Sequence, residues 1–443
     1  MTHRAGLLDT IRVAGEVFVP TLAGGVLKRR PRVMALADRL RLDSVAIHAL
    51  HRLRARYGTG PVLLRVPGRR VAVLLDPEDV SRVLTGTPAP FTPATREKRT
   101  ALGHFQPHAV LATPMPERAP RRRYNEAVLE ASRAEHSLAD RVRQIVREET
   151  RSLPADTSEL DWGRFQRTWW RIVRRLVLGD AARDDTGVTD ALATLRLRGN
   201  WAFLAPKARR RREWFRERLD TYLDRAEPGS LAATIAAHPA EEGVDPHGQV
   251  PHWLFAFDAA GMVTLRTLAL LATHPDRAAA AEAELNEDDR TRPFLRACVL
   301  DTVRLWPTTP VILRESTTAT SWRGTQLPPN TLFVVFAPYF HRSRDLVPFA
   351  DRFAPEAWLD GRAPDFPALV PFSSGPGRCP GENLVLLVTS TLLAELLARG
   401  EYRLLAPKTL SSRTHTHERL PATVNDFGLR FALKPHEASL SSS

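Results

Sequence analysis

Apolar and polar positions along this 443-residue chain change period several times, and each change marks an element. Val62-Leu-Leu-Arg-Val66, the turn Pro67-Gly68 and Val71-Ala-Val-Leu-Leu75 read as two strands around a turn. Asp76-Pro77-Glu78 follows with a capping side chain and a proline suited to a first helical turn, so a helix is expected to begin there. Phe165, Trp169, Ile172, Val173 and Leu176 recur at helical spacing, as do the apolar residues of 253–272. Residues 384–397 are apolar almost all round, the pattern of a buried helix. Strand-like runs return at 311–314, 331–337 and 427–433. No internal repeat or clear linker interrupts this order. The expectation is a mainly α fold with small β-sheets (α+β), forming a single domain over 1–436. Residues 1–40 are an N-terminal segment packing on it, and 437–443 a disordered tail.

Composition narrows the partners. A hydrophobic content of 43% is ample for a large core, and the net charge is +13. The basic residues are almost all arginine, and the densest run, residues 207–218, interleaves acids in a helical pattern. That run reads as a solvated helix face rather than a nucleic-acid patch. A basic surface suits an acidic protein partner. Two cysteines, Cys298 and Cys379, argue against a disulfide framework and agree with a reducing cytosol. Cys298 sits in an apolar helical stretch and reads as core. The apolar run 17–27 is too short to span a membrane and carries its basic cluster after it, so neither a transmembrane anchor nor a signal peptide is expected. The expected location is cytoplasmic, with loose membrane-surface contact by this segment as the lesser alternative.

Cys379 is the candidate reactive group. It stands in Phe372-Ser-Ser-Gly375-Pro-Gly377-Arg378-Cys379-Pro380-Gly381, where glycines allow backbone N–H groups to approach the sulfur and Pro380 is expected to open the following helix. Such donors and the helix dipole favour a thiolate, although an inert buried cysteine fits the same local pattern. The run resembles the haem-binding loop of cytochromes P450, with Phe372, Gly375, Cys379 and Gly381 on its pattern. It departs from that family at Gly377, where a basic residue is usual; Arg378 follows one place later.

Three further segments extend the resemblance over nearly the whole chain. Asp301-Thr-Val-Arg304 resembles the family's Glu-x-x-Arg pair with a shorter acid, and an acid and a base at i, i+3 on a helix can pair. The third member of that network falls on Ala357, which cannot take part, leaving Arg352 or His341 as substitutes. Ala260-Gly261-Met-Val263-Thr264 resembles the oxygen-binding segment. Ala260 and Gly261 leave room for a haem face, and the Thr264 hydroxyl can donate to bound oxygen. The same residues also suit close helix packing, with the threonine bonded to a carbonyl one turn back. The acid usual before this threonine is replaced by Val263, and Asp258 lies about 240° round the helix from Thr264. Arg118 and Arg122 resemble a helix that binds haem propionates, and Arg314 resembles a propionate-binding arginine. Arg378 is a further candidate.

The resemblance implies haem b with a Cys379 thiolate ligand. It implies a monooxygenase that inserts one oxygen atom into an apolar or amphipathic small molecule, with Val311, Ile312 and Val263 as pocket walls. Electrons are then expected from a separate ferredoxin or flavodoxin. Two alternatives stand beside it. One is a haem-thiolate enzyme with peroxide-driven oxidation, isomerisation or oxidative coupling, motivated by Val263; the other is a non-catalytic haem-binding protein.

Overall fold

The computed structural model describes residues 3–153, 159–411 and 419–436. The expected tail at 437–443 lies outside the described residues. Helices dominate the middle of the chain, and the early hairpin opens a six-stranded sheet. Its order runs His3–Arg4, Val62–Val66, Arg69–Val73, Leu332–Phe336, Val311–Ser316, Phe91–Thr92. Val62 faces Val73 in the antiparallel hairpin, and Val71 faces Leu332 in a parallel pair. Val311 faces Phe336 across the antiparallel pair beyond it. A second sheet joins Gly400–Ala406, Arg430–Pro435 and Glu159–Asp161. The last expected strand therefore starts three residues later than its apolar run, because Asp426–Gly428 closes a tight helical turn first.

Asp76 caps the helix Pro77–Thr85 by accepting from the Glu78 amide at 2.9 Å, as its spacing predicts. The helix Val250–Leu271 is the axis of the larger core. It packs on Trp162–Leu178, Pro293–Leu305 and Glu382–Leu397, which explains why its sequence is apolar on every side. The stretch His247–Leu271 is long and apolar enough to cross a membrane, but 83% of its apolar window is buried inside the protein. Helix Glu382–Leu397 begins two residues after Pro380, so Pro380 belongs to the turn before it rather than to its first turn. A second core lies beneath the six-stranded sheet and takes in Val13 and Val17 from the N-terminal helix.

Candidate functional site

The cysteine loop is held by its own backbone. The Cys379 amide donates to the Phe372 carbonyl at 2.9 Å, and the Arg378 amide to the Gly375 carbonyl at 2.9 Å. Gly375 has φ +61°, and a Cβ there would stand 2.7 Å from the Leu84 carbonyl oxygen, so the loop presses directly on the end of helix Pro77–Thr85. Gly381 has ordinary room, with a Cβ 3.7 Å from Leu129; its contribution is its amide, which hydrogen-bonds to the sulfur. Phe372 packs against the helical core.

Cys379 is partly accessible, whereas Cys298 is fully buried core. Burial pushes the Cys379 thiol up to about 11; the Gly381 amide pulls it down, Glu382 raises it, and Arg122 and Arg378 lower it. The expected thiolate is therefore not the resting form of the bare loop. It needs a bound cation such as a metal ion to stabilise it.

Arg122 and Arg378 brace this loop from outside. Arg122 donates to Glu126 at 2.6 Å and to the Arg378 carbonyl at 2.8 Å. Arg378 forms a two-pronged pair with Glu382 at 2.6 and 2.8 Å and its side chain is largely exposed. Both guanidinium groups have protein partners here, Arg122 largely covered and Arg378 exposed, so neither is held free for the propionate contact expected of it.

The inward cations are different. Arg118 and Arg314 are buried, and Lys98, from the helix Arg96–Leu102, lies close enough to act on Arg314 and His252. Arg118 donates to the Val110 carbonyl at 2.6 Å and Lys98 to the Leu313 carbonyl at 3.1 Å. Arg314 reaches Thr87 Oγ1, the Leu313 carbonyl and Ser373 Oγ. Among the described residues no carboxylate stands within ion-pair distance of any of the three. Burial lowers Arg118 and Arg314 to about 10, helped by Arg122 beside the first and Arg118 beside the second, and burial followed by Arg314 and Arg118 lowers Lys98 well below its usual value. Buried charges without counter-charges are costly unless a ligand supplies them. A planar group carrying two carboxylates, as haem does, fits this cradle.

Gly377 completes the arrangement. A Cβ at this position would lie 2.7 Å from Arg314 Nη2, so the Arg314 guanidinium occupies the space a larger residue would need. The missing basic residue in the loop is replaced in space by one from strand Val311–Ser316. Strand alternation puts Ile312 on the same face as Arg314 and Val311 on the opposite one.

On the central helix, the Thr264 hydroxyl donates to the Ala260 carbonyl at 2.9 Å and is fully buried. Gly261 faces Trp169, where a Cβ would stand 2.7 Å from the indole nitrogen, and that nitrogen donates to the Phe257 carbonyl at 2.8 Å. The absent side chain thus serves helix packing, not the approach of a diatomic ligand. Val263 is buried and has no acidic group with which to pass a proton. Asp258 pairs with Arg196 at 2.7 Å and Lys28 at 3.3 Å; burial raises its pKa, but these cations overcome that and hold it below the usual value. It is a locked carboxylate on another face of the helix.

A family model described as Cytochrome P450 matches residues 258–417, which include the Thr264, Asp301 and Cys379 segments. The chain also superposes on a retinoic acid-bound cyanobacterial CYP120A1 with a TM-score of 0.69 at 18% identity, covering 87% of this chain and 94% of that one. A second solved cytochrome P450, CYP102L1, gives 0.68 at 20% identity over 88% and 94%. Residues 258–417 thus match the cytochrome P450 family, and the chain has the cytochrome P450 fold. Among curated relatives, cyclooctat-9-en-7-ol 5-monooxygenase of Streptomyces melanosporofaciens is 30% identical over 45% of this chain and 47% of its own length. The chloroplastic carotene epsilon-monooxygenase of Arabidopsis thaliana is 26% identical over 46% and 41%. The alignment thus spans less than half the length of these two relatives.

In this P450-like fold the counterpart of the Glu-x-x-Arg network is rebuilt around a shorter acid. Arg304 pairs with Asp301 at 2.5 and 3.1 Å, both fully buried, and also donates to the carbonyls of His341, Ala350 and Arg352. Asp301 accepts from the Ala354 amide at 2.7 Å and from the Trp358 indole at 3.1 Å. The place left empty by Ala357 is therefore filled by its neighbour Trp358, which the sequence reading missed. Arg352 contributes a carbonyl rather than its guanidinium. His341 joins through its ring: Nδ1 meets the Arg304 carbonyl at 3.1 Å and Nε2 accepts from the Val370 amide at 3.1 Å. Burial and Arg304 push its pKa down to about 3, so the ring is neutral and carries its proton on Nδ1. The network thereby reaches within two residues of Phe372.

Proposed function

We propose that this P450 is a haem-thiolate monooxygenase that inserts one oxygen atom from O2 into an apolar or amphipathic small organic molecule. The observation that carries the reading is the cysteine loop closed beside buried Arg118 and Arg314 and half-buried Lys98, none of which forms an ion pair among the described residues. Cys379 would ligate the iron, and Lys98, Arg118 and Arg314 would hold the propionates. When bound, the haem supplies oxygen activation, with thiolate donation favouring O–O cleavage. Around it the chain itself does three things. The Gly381 amide orients the sulfur, Ala260 and Val263 keep the helix surface small and dry, and Thr264 offers a buried oxygen whose own proton is committed to Ala260. The names of the two curated relatives, acting on cyclooctat-9-en-7-ol and carotene, support a hydrocarbon-rich substrate. An acidic ferredoxin or flavodoxin in the cytoplasm would deliver electrons at the outer face of the loop, where Arg378 is exposed.

A second reading follows from proton supply. With Val263 apolar, Thr264 committed and Asp258 ion-paired, neither Val263 nor Thr264 nor the Asp258 carboxylate is placed to hand protons to the oxygen-binding segment. That arrangement favours peroxide-driven oxidation, isomerisation or oxidative coupling at the same haem. The test has two arms. The reduced protein under carbon monoxide is expected to show a strongly red-shifted Soret band that is lost in Cys379→Ala; an unshifted band in the wild type rejects thiolate ligation. Turnover with ferredoxin, reductase and NAD(P)H but not with peroxide selects monooxygenation. The reverse selects the second reading, and tight haem with neither activity selects a binding protein.

A further inference from the structure

Arginine is common on this surface, and much of it is answered by acid. Arg133 pairs with Glu130 at 2.8 Å, Arg171 with Asp184 at 2.9 Å and Arg218 with Asp185 at 2.7 Å. Exposed pairs of this kind hold a fold weakly and leave little charge to spare.

One cleft departs from that balance. It measures about 440 Å³, within the range of about 300–1,000 Å³ typical of small-molecule sites. Helix Ala139–Arg151 lines it with Arg143, Arg147 and Arg151, four residues apart on one face and spanning about 12 Å by the helical rise. Arg290 and Arg292 enter from the loop that leads into helix Pro293–Leu305. The second half of helix Glu382–Leu397 contributes Thr391 and Glu395.

Five guanidinium groups line this cleft beside three carboxylates, and those carboxylates are already engaged. Glu148 turns to the buried side chain of Arg175 at 2.6 Å. Asp140 is shared by Arg143 at 3.0 Å and Arg290 at 3.8 Å. Glu395 reaches only Nε of Arg147, at 3.4 Å. Arg292 donates to the carbonyls of Glu284 and Glu287 rather than to an acid. Among the described residues Arg151 has neither an ion pair nor a hydrogen bond.

Thr391 gives a second, independent sign. It is 8% exposed, and among the described residues its hydroxyl has no hydrogen-bond partner. Other buried helical threonines here donate to a carbonyl one turn back: Thr150, Thr264, Thr302 and Thr389 do so at 2.7–2.9 Å. The Thr391 hydroxyl is left to the cleft.

The ligand chemistry follows from these groups. Guanidinium forks match phosphate oxygens two at a time, and a threonine hydroxyl can donate to a further one. A single phosphate would engage one end of the row, whereas cations spread over about 12 Å suit several linked phosphates. An acidic polypeptide would have to bring its backbone into the same confined space.

We propose that this cleft binds a small molecule carrying linked phosphates, as a nucleoside diphosphate does, with Arg147, Arg151 and Arg290 as anchors and Thr391 as a further donor. Thr391 lies about 14 Å along helix Glu382–Leu397 from its first residue, so the site is separate from the cysteine loop. It does not depend on which reaction the haem site performs. An occupied cleft ties the helix that carries Asp301 to the helix that follows Cys379.

Isothermal titration calorimetry of the haem-loaded, full-length protein in metal-free buffer tests this, with tripolyphosphate, ADP and a hexaglutamate peptide as probes. Loading keeps Lys98, Arg118 and Arg314 from offering a rival anion site. Tripolyphosphate is expected to bind with a dissociation constant of about 10–100 µM at about 50 mM salt, and more weakly as salt rises. Arg147→Gln/Arg151→Gln should weaken binding about tenfold or more, and Thr391→Val about threefold. Arg151→Gln alone should weaken it about threefold, and because this side chain has no partner in the fold, that loss is not one of folding. Arg52→Gln, at an exposed arginine on helix Leu42–Tyr57, should bind as the wild type does. Tighter binding of ADP than of tripolyphosphate extends the ligand to the nucleoside, and the reverse limits it to the phosphates; both sustain the proposal when the arginine variants weaken them. No binding by the wild type, equal binding by the arginine variants, or hexaglutamate bound as tightly as tripolyphosphate overturns it.

Discussion

Lys98 is the residue that best separates what a bare chain wants from what its ligand wants. It is desolvated beside two arginines, so its charge is a burden on the empty fold and an asset once carboxylates arrive. Lys98→Met should therefore stabilise the haem-free protein, by roughly 1–3 kcal/mol, while haem dissociates faster from the loaded form. Urea denaturation without haem and haem transfer to an acceptor protein measure the two signs. A variant that destabilises both forms would show Lys98 to be ordinary packing. No feature of the sequence marked this lysine, one of only five in an arginine-dominated chain. The cradle joins positions 98, 118 and 314, which only tertiary folding brings together. Nor did helical spacing decide between Arg118 and Arg122. It put them on one face, and in the structure the second bonds the carbonyl of Arg378.

At the scale of elements, the helices Val250–Leu271 and Glu382–Leu397 were legible because burial on all sides leaves an uninterrupted apolar run. The hairpin was legible from its turn. What periodicity does not carry is which neighbour a small residue serves, and Gly261 is the case in point. Its missing side chain accommodates the Trp169 indole from helix Trp162–Leu178. Gly261→Ala should gain about 1 kcal/mol in helix propensity and lose about 1–3 kcal/mol to overpacking, a net destabilisation of up to about 2 kcal/mol. In a Trp169→Leu background the same change should become stabilising. Thermal unfolding of the four proteins in this cycle decides it, and an unchanged sign in both backgrounds would refute the packing role. The Asp301 network was likewise half legible. The acid and base showed at i, i+3, but Trp358 entered because a shorter acid needs a donor with longer reach.

At the scale of the whole molecule, neutral histidines, His341 buried and His252 half-buried, cost stability in acid. His341 titrates near 3 and His252 near 4 because burial, with Arg304 and Lys98 respectively, disfavours their charged forms. The unfolded chain takes up these protons near pH 6.5 and the folded chain does not, so stability is lost as pH falls below 6.5. For His341 the loss approaches about 1.4 kcal/mol per pH unit, or about 2 kcal/mol by pH 5. The urea midpoint should fall between pH 7 and pH 5, and His341→Asn should flatten that slope; an equal slope would remove the histidine from the account. The same imidazole has a further consequence. It ties Arg304, whose guanidinium already gathers the carbonyls of residues 341, 350 and 352, to the amide of Val370 just ahead of the cysteine loop. Opening of the loop is therefore expected to break this bond. Solvent exchange at the Val370 amide and escape of a bound haem should then share a rate constant and activation energy, which hydrogen exchange and haem transfer measure.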